Sequence, residues 1–380
     1  MKLEEFRAQF PALETRAYLF SGAMTPAAAT VRAEWDKWTD AWSADPNSVY
    51  TEEAMLGGMT SLRQAFARLL NATPEEIALT DSTSRAANIA IRILANRGSG
   101  SVVVDESTYP SSVYPWYAQG RDVHMVPTGH SADPSATLAE AITDDTTAVC
   151  VSHVSPFTGR RHSLALLSAA AHAHGALLMV DAAQSTGVLP LDTRAEGIDL
   201  LVTTGMKWLL GPPGIGYLYA TEEVLATAPV LDVGYIGLDV PLGEWPVAEL
   251  PPVSPTARRY ELGLPSLPAL GASRAGVELL LQVGLANIAA HVEHLMTRCL
   301  DGLQELGLDV TTPRDPARRA SVLVFTHKHA AQLFEACRHK GVDIGTLTRG
   351  RLRVDPHGFN NEADIDRFLE SCRTFDPNAD

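Results

Sequence analysis

Four cysteines are scattered through the 380 residues, at 150, 299, 337 and 372, with no Cys-x-x-Cys pair. That excludes a disulfide scaffold or a zinc ribbon, and it predicts ordinary thiols in a reducing compartment. Basic runs are missing too. No Lys/Arg stretch exceeds two residues and the formal charge is −15, so neither nucleic acid nor an anionic membrane is expected as a partner. No apolar run reaches the 18 or so residues of a membrane span. The opening MKLEEFRAQFPAL carries acids and a proline where a secretory signal needs an unbroken apolar core, which predicts a cytoplasmic protein. Internal repeats and low-complexity tracts are absent as well. The histidine pairs 172/174, 291/294 and 327/329 lack companion ligands at zinc spacing and predict solvated side chains, not a metal site.

What is present is an alternation. Short β-type runs at Ile77–Thr80, Val102–Asp105, Val123–Val126, Ala148–His153, Ala176–Asp181, Leu200–Thr204 and Ile215–Ala220 are interleaved with helical stretches such as Arg85–Ala95 and Leu164–His174. The pattern predicts an α/β fold with a mainly parallel seven-stranded sheet covered on both faces. Such sheets bind ligands beyond the carboxyl ends of their strands, so polar residues just after the runs carry the functional argument. Upstream, Trp35, Trp38 and Trp42, and Met55, Met59, Leu62, Phe66 and Leu69, recur at helical spacing and predict core or interface packing. Seven prolines between 241 and 268 break regular structure and predict a connection to a second domain. Helical patterns follow at 269–306 and Ala330–Lys340, with strands at Ser321–Thr326 and Gly350–Val354.

Within ALLMVDAAQSTGVLPLDTRAEGIDLLVTTGMKWLLGPPGIGYLY, Asp181 ends one apolar run and Lys207 follows another by three residues, which predicts that both project from one sheet edge. A cofactor that stabilises a carbanion needs such a pair, a lysine to form an imine and a carboxylate to keep a pyridine nitrogen protonated. Gln184, three residues past Asp181, can reach a ring oxygen, and Ala183 is small enough to lie flat against a ring.

The combination of strand–Asp-x-x-Gln, the 26-residue interval from Asp181 to Lys207, and Thr-Gly-x-Lys-x-x-x-Gly-Pro resembles the class V aminotransferase group of fold type I. This group includes cysteine desulfurases, kynureninases and isopenicillin N epimerase-like proteins. The resemblance implies pyridoxal 5′-phosphate as cofactor, with Lys207 and Asp181 catalytic, in a homodimer whose active sites lie at the interface. TDSTSRAAN places Thr83 and Ser84 where the family clasps the phosphate at a helix N-terminus, and Thr204 at another phosphate-binding position. Tyr109, in STYPSSVYPW, matches the ring that stacks on the cofactor. In GRLRVDPHGFNNEADIDRF, Arg353 matches the substrate-carboxylate anchor and Arg351 its solvated neighbour. The implied domains are an N-terminal arm (1–20) joining the small domain, a large cofactor-binding domain (21–255) and a small C-terminal α/β domain (256–380).

Departures from the family narrow the function. GTLTRGRLR, the stretch before Arg353, is short and carries no cysteine, and Cys337 lies on an Ala-rich helical pattern, so persulfide chemistry is disfavoured. Met206, Leu264 and Pro156 stand where relatives carry cofactor-contacting polar groups. The reading that follows is carbon–sulfur β-lysis of a cysteine S-conjugate, as in specialised metabolism. An aminotransferase or a decarboxylating deaminase is the alternative; an epimerase or a desulfurase fits less well, and a non-catalytic cofactor-binding protein least.

Overall fold

The computed structural model describes residues 1–244 and 248–377; Pro246, one of the seven prolines, lies outside them. The seven β-type runs form one sheet: β1 Ile77–Thr80, β2 Ser101–Asp105, β3 Val123–Val126, β4 Thr146–Ser152, β5 Leu177–Asp181, β6 Leu200–Thr204 and β7 Gly216–Ala220. Their spatial order is β1-β7-β6-β5-β4-β2-β3. The β6-β5-β4-β2-β3 block is parallel throughout, and β7 runs antiparallel to both β6 and β1. The sheet is therefore mixed and mainly parallel, as the run spacing predicts.

Alternation along the strands explains the two-sided burial. Val102, Val104, Ala148, Cys150, Met179, Leu200 and Val202 face the helix α1, Thr83–Ala95. Val103, Val149, Val151, Leu178, Val180 and Leu201 face the opposite layer. Successive side chains of a strand point to opposite faces, so a sheet buried on both needs such near-continuous apolar runs. Parallel register then places the strand ends together: Ser152 pairs with Asp181, and Asp181 with Val202. One edge of the sheet thus gathers Asp105, Ser152, Asp181 and Thr204.

Beyond the proline-rich connection, the helical pattern is split at Gly284 (φ 86°) into Leu267–Val283 and Leu285–Glu305, bent by 80°. Among the described residues no single helix is long and apolar enough to cross a membrane. A second sheet follows, with β8 Asp309–Val310, β9 Leu323–Thr326, β10 Gly345–Leu347 and β11 Arg351–Val354 in the order β10-β11-β9-β8, all antiparallel. Arg349 and Gly350 both take positive φ in the tight turn between β10 and β11, so the final strand starts at Arg351 and not at Gly350. The N-terminal segment adds to this region: Ala17–Tyr18 pairs in parallel with Val342–Asp343, and Arg7 binds Asp364. Met59, Leu62, Phe66 and Leu69 are buried. Trp35, Trp38 and Trp42 lie on the helix Ala29–Ala44, but Trp42 is 62% exposed and so is not core in the single chain.

Candidate active site

Asp181 closes β5 with its side chain buried. Its Oδ2 accepts from Ser112 Oγ at 2.8 Å and its Oδ1 from the Ala183 amide at 3.1 Å. Burial pushes the carboxyl up, opposed by the Ala183 amide, by the positive charge of Lys207 and by Ser112. Lys207 sits on the turn after β6. The turn is pinned through its backbone: Thr25 Oγ1 donates to the Lys207 carbonyl at 2.5 Å, and the Thr25 amide to the Met206 carbonyl at 3.0 Å. Burial lowers the Lys207 pKa, Asp181 and Asp355 raise it, and Arg353 lowers it further. Among the described residues its Nζ has no ion-pair partner; it stands 5.7 Å from the centre of the Tyr109 ring. A lysine with a depressed pKa and no partner is an available nucleophile.

Tyr109 is held by its own amide, which donates to Ser152 Oγ at 3.0 Å, and its ring stacks on Phe157 with centroids 6.2 Å apart. Thr83 and Ser84 open α1. Their amides precede the first helical hydrogen bond, from Ala86 N to the Ser82 carbonyl, so neither has an acceptor within the helix. Ser84 Oγ reaches Ser111 Oγ at 2.9 Å, and Thr204 Oγ1 is turned to the Ile215 carbonyl at 3.5 Å. Gly216 lets the Ser82 backbone lie against β7, since a methyl group there would fall 2.4 Å from the Ser82 carbonyl carbon. Gln184 is engaged at both ends, donating to the Gly22 carbonyl and accepting from Trp208 Nε1, each at 3.0 Å.

Arg353 is buried. Its Nε and Nη2 both lie 2.7 Å from Asp355 Oδ2, and Nη1 donates to the Pro156 carbonyl at 3.3 Å. Arg351 differs from expectation: it is half-buried, because the Thr348 carbonyl of the tight turn and the Phe157 carbonyl of a distant segment accept from its Nε and Nη1 in place of solvent. Sequence reading missed Ser112, Asp355, Gly22 and Thr25. Asp355 was within reach, since it follows Arg353 by two positions and so shares its strand face. Cys337 is fully buried on the helix Ala330–His339, and Cys150 and Cys299 are fully buried as well.

These residues match what pyridoxal phosphate requires. An unpaired lysine, a buried carboxylate one strand away and free amides at a helix N-terminus stand at a single sheet edge. The Aminotransferase class-V family profile matches residues 17–351. The chain is 27% identical to an uncharacterized aminotransferase, YcbU, of Bacillus subtilis, across 97% of this chain and 96% of that protein. It is also 27% identical to a probable cysteine desulfurase of Methanothermobacter thermautotrophicus, across 98% and 97%. A solved cystine C–S lyase superposes with a TM-score of 0.87 at 22% identity, covering 97% of this chain and all of the lyase chain, which shows a shared fold.

Proposed function

This chain belongs to the Aminotransferase class-V family and is a pyridoxal-phosphate-dependent enzyme; from that premise we propose that it cleaves the Cβ–S bond of a cysteine S-conjugate. The observation that carries the reading is the stretch 345–353. It is a tight β10–β11 hairpin that carries no thiol, and Cys337 is fully buried on a neighbouring helix. A site with no exposed cysteine to accept sulfur is suited to expelling it as a thiol.

Bound pyridoxal phosphate supplies an electron sink for a bond broken at the substrate Cα. In this proposal Lys207 Nζ would hold the cofactor and would take the proton from the substrate Cα. Asp181, kept in place by Ser112 and the Ala183 amide, holds a proton at the pyridine nitrogen. Thr83, Ser84 and Thr204 would hold the phosphate, Tyr109 and Ala183 would flank the ring, and Gln184 would serve its oxygen. Arg353 orients the substrate carboxylate and thereby selects which Cα bond breaks.

The reading extends to a cytoplasmic homodimer acting in specialised metabolism. Trp35, Trp38, Trp42, Val49, Tyr50 and Leu267 line an apolar cavity of about 670 Å3, and Tyr50 is 72% exposed, a surface suited to a second copy. The aminotransferase reading is second, favoured by the near-full-length similarity to YcbU.

Product analysis separates the readings. Incubated with a panel of cysteine S-conjugates and amino acids, a β-lyase consumes water and releases pyruvate, ammonia and thiol in equal amounts. Keto acid formed without ammonia, dependent on an amino acceptor, would replace lysis with transamination. Replacing Cys337 by alanine should leave turnover within about twofold of wild type, because truncating a buried thiol costs packing, not chemistry. Loss of turnover with unchanged melting would return the desulfurase reading.

A further inference from the structure

Strand β11 presents Arg351, Arg353 and, just beyond its end, Asp355 on one face, because alternate residues share a side. Asp355 is fully buried. Its Oδ2 takes both Nε and Nη2 of Arg353, while its Oδ1 makes no hydrogen bond among the described residues. The Pro156 carbonyl accepts from Nη1, and the Phe20 ring lies 5.2 Å beneath the guanidinium carbon. Of the five donors an arginine carries, hydrogen bonds use one on Nε and one on Nη1, and Nη2 meets Asp355 as an ion pair, so donors remain at the Nη1/Nη2 end. The N-terminal segment closes the other side. A methyl group on Gly22 would fall 2.5 Å from Arg353 Nη2 and 2.6 Å from both Asp355 Oδ2 and Gln184 Oε1, so any larger residue there would push these side chains aside.

Two consequences follow. The side edge of the guanidinium is occupied by the chain itself, so a ligand can meet Arg353 only through the Nη1/Nη2 end. One positive and one negative charge in contact also leave the anchor close to neutral as seen by an incoming carboxylate, in a buried setting where charges are poorly screened.

We propose that Asp355 is a positioning and specificity-determining residue that fixes the direction of Arg353 and attenuates its charge, so that the enzyme holds the α-carboxylate of an amino acid by orientation more than by net attraction. This rests on the reading of Arg353 as the carboxylate anchor. The groups facing Asp355 are Arg353 on its own strand, Lys207 on the turn after β6 and Tyr18 on the N-terminal segment. Burial pushes the Asp355 carboxyl up to about 6, against the pull of Arg353, of the Gly22 amide and of Lys207. Tyr18 is pushed up to about 12 and stays neutral at working pH. As pH falls through about 6, Asp355 takes a proton and Arg353 loses its counter-charge, so carboxylate binding strengthens toward acid.

The test uses cofactor-loaded enzyme and two probes that differ only by the carboxylate, L-alanine and ethylamine, with binding followed by the cofactor's visible absorption. The ratio of their dissociation constants isolates the carboxylate's contribution, since the amino groups of both titrate in parallel below pH 8. In Asp355→Asn at pH 8 the ratio should favour alanine about tenfold or more beyond wild type, with ethylamine unchanged. In wild type the ratio should rise between pH 8 and pH 5.5, and in Asp355→Asn it should be flat. A ratio that is unchanged or lower in Asp355→Asn, while Arg353→Ala still abolishes it, overturns the role of Asp355 and leaves the anchor standing. If Arg353→Ala keeps the full ratio, the anchor itself is wrong and the proposal falls with it. Should Asp355→Asn fail to fold, a wild-type ratio that stays flat from pH 8 to 5.5 overturns the proposal unaided.

Discussion

Replacing Lys207 by alanine should reduce turnover by about a thousandfold or more, the size of losing a positioned proton-transfer group whose covalent role is lost as well. The protein should remain folded, because the Lys207 side chain makes no ion pair among the described residues and its turn is pinned by Thr25 through the backbone. Stability should move in a defined direction. Burial lowers the Lys207 pKa, so between that lowered value and the ordinary 10.5 the unfolded chain binds the proton that the folded chain has released. The cofactor-free wild type should therefore gain stability as pH rises through that window, and Lys207→Met should lack this gain. A small primary amine added to Lys207→Ala should restore part of the turnover by supplying the missing base. Turnover close to wild type in Lys207→Ala would remove the lysine from the chemistry.

Asp181→Asn should lower kcat by about 100- to 10,000-fold, the range for losing a positioned acid–base group, while the cofactor stays bound. The substitution is close to isosteric: the asparagine oxygen can still accept from the Ala183 amide, while its NH2 group donates to a turned Ser112 hydroxyl. What is lost is the negative charge that keeps a proton on the pyridine nitrogen. Buried Cys150, whose thiol is pushed up to about 12 by burial, stays protonated and supplies no negative charge in its place. Steady-state kinetics beside a cofactor-occupancy measurement separates the two effects. Full activity in Asp181→Asn would mean that the electron sink is held by another group.

Both residues were legible in the sequence because each stands where an apolar β-type run stops, and parallel register brings such stops to one edge. The seven runs gave the sheet to within two residues at most ends, since strands buried on both faces have few polar residues to blur their limits. What supports the site was not legible. Ser112 meets Asp181 across 69 positions and Gly22 meets Gln184 across 162, and no local pattern encodes such contacts. Arg353 illustrates the middle case. Its position was readable from the motif, but its pairing with Asp355 depends on which side chains share a strand face and on what buries them. Trp42 went the other way: helical spacing pointed to packing, yet the side chain is 62% exposed.

Borohydride reduction of the loaded enzyme, followed by peptide mapping, locates the lysine that carries the cofactor, which is proposed to be Lys207. The chain has five lysines, at 2, 37, 207, 328 and 340, so the assignment is unambiguous. One reduced pyridoxyl group per chain is expected, on the peptide containing TTGMKWLL, with none in Lys207→Ala. A stable reduced adduct on any of the other four lysines in wild type, with Lys207 unmodified, would contradict it.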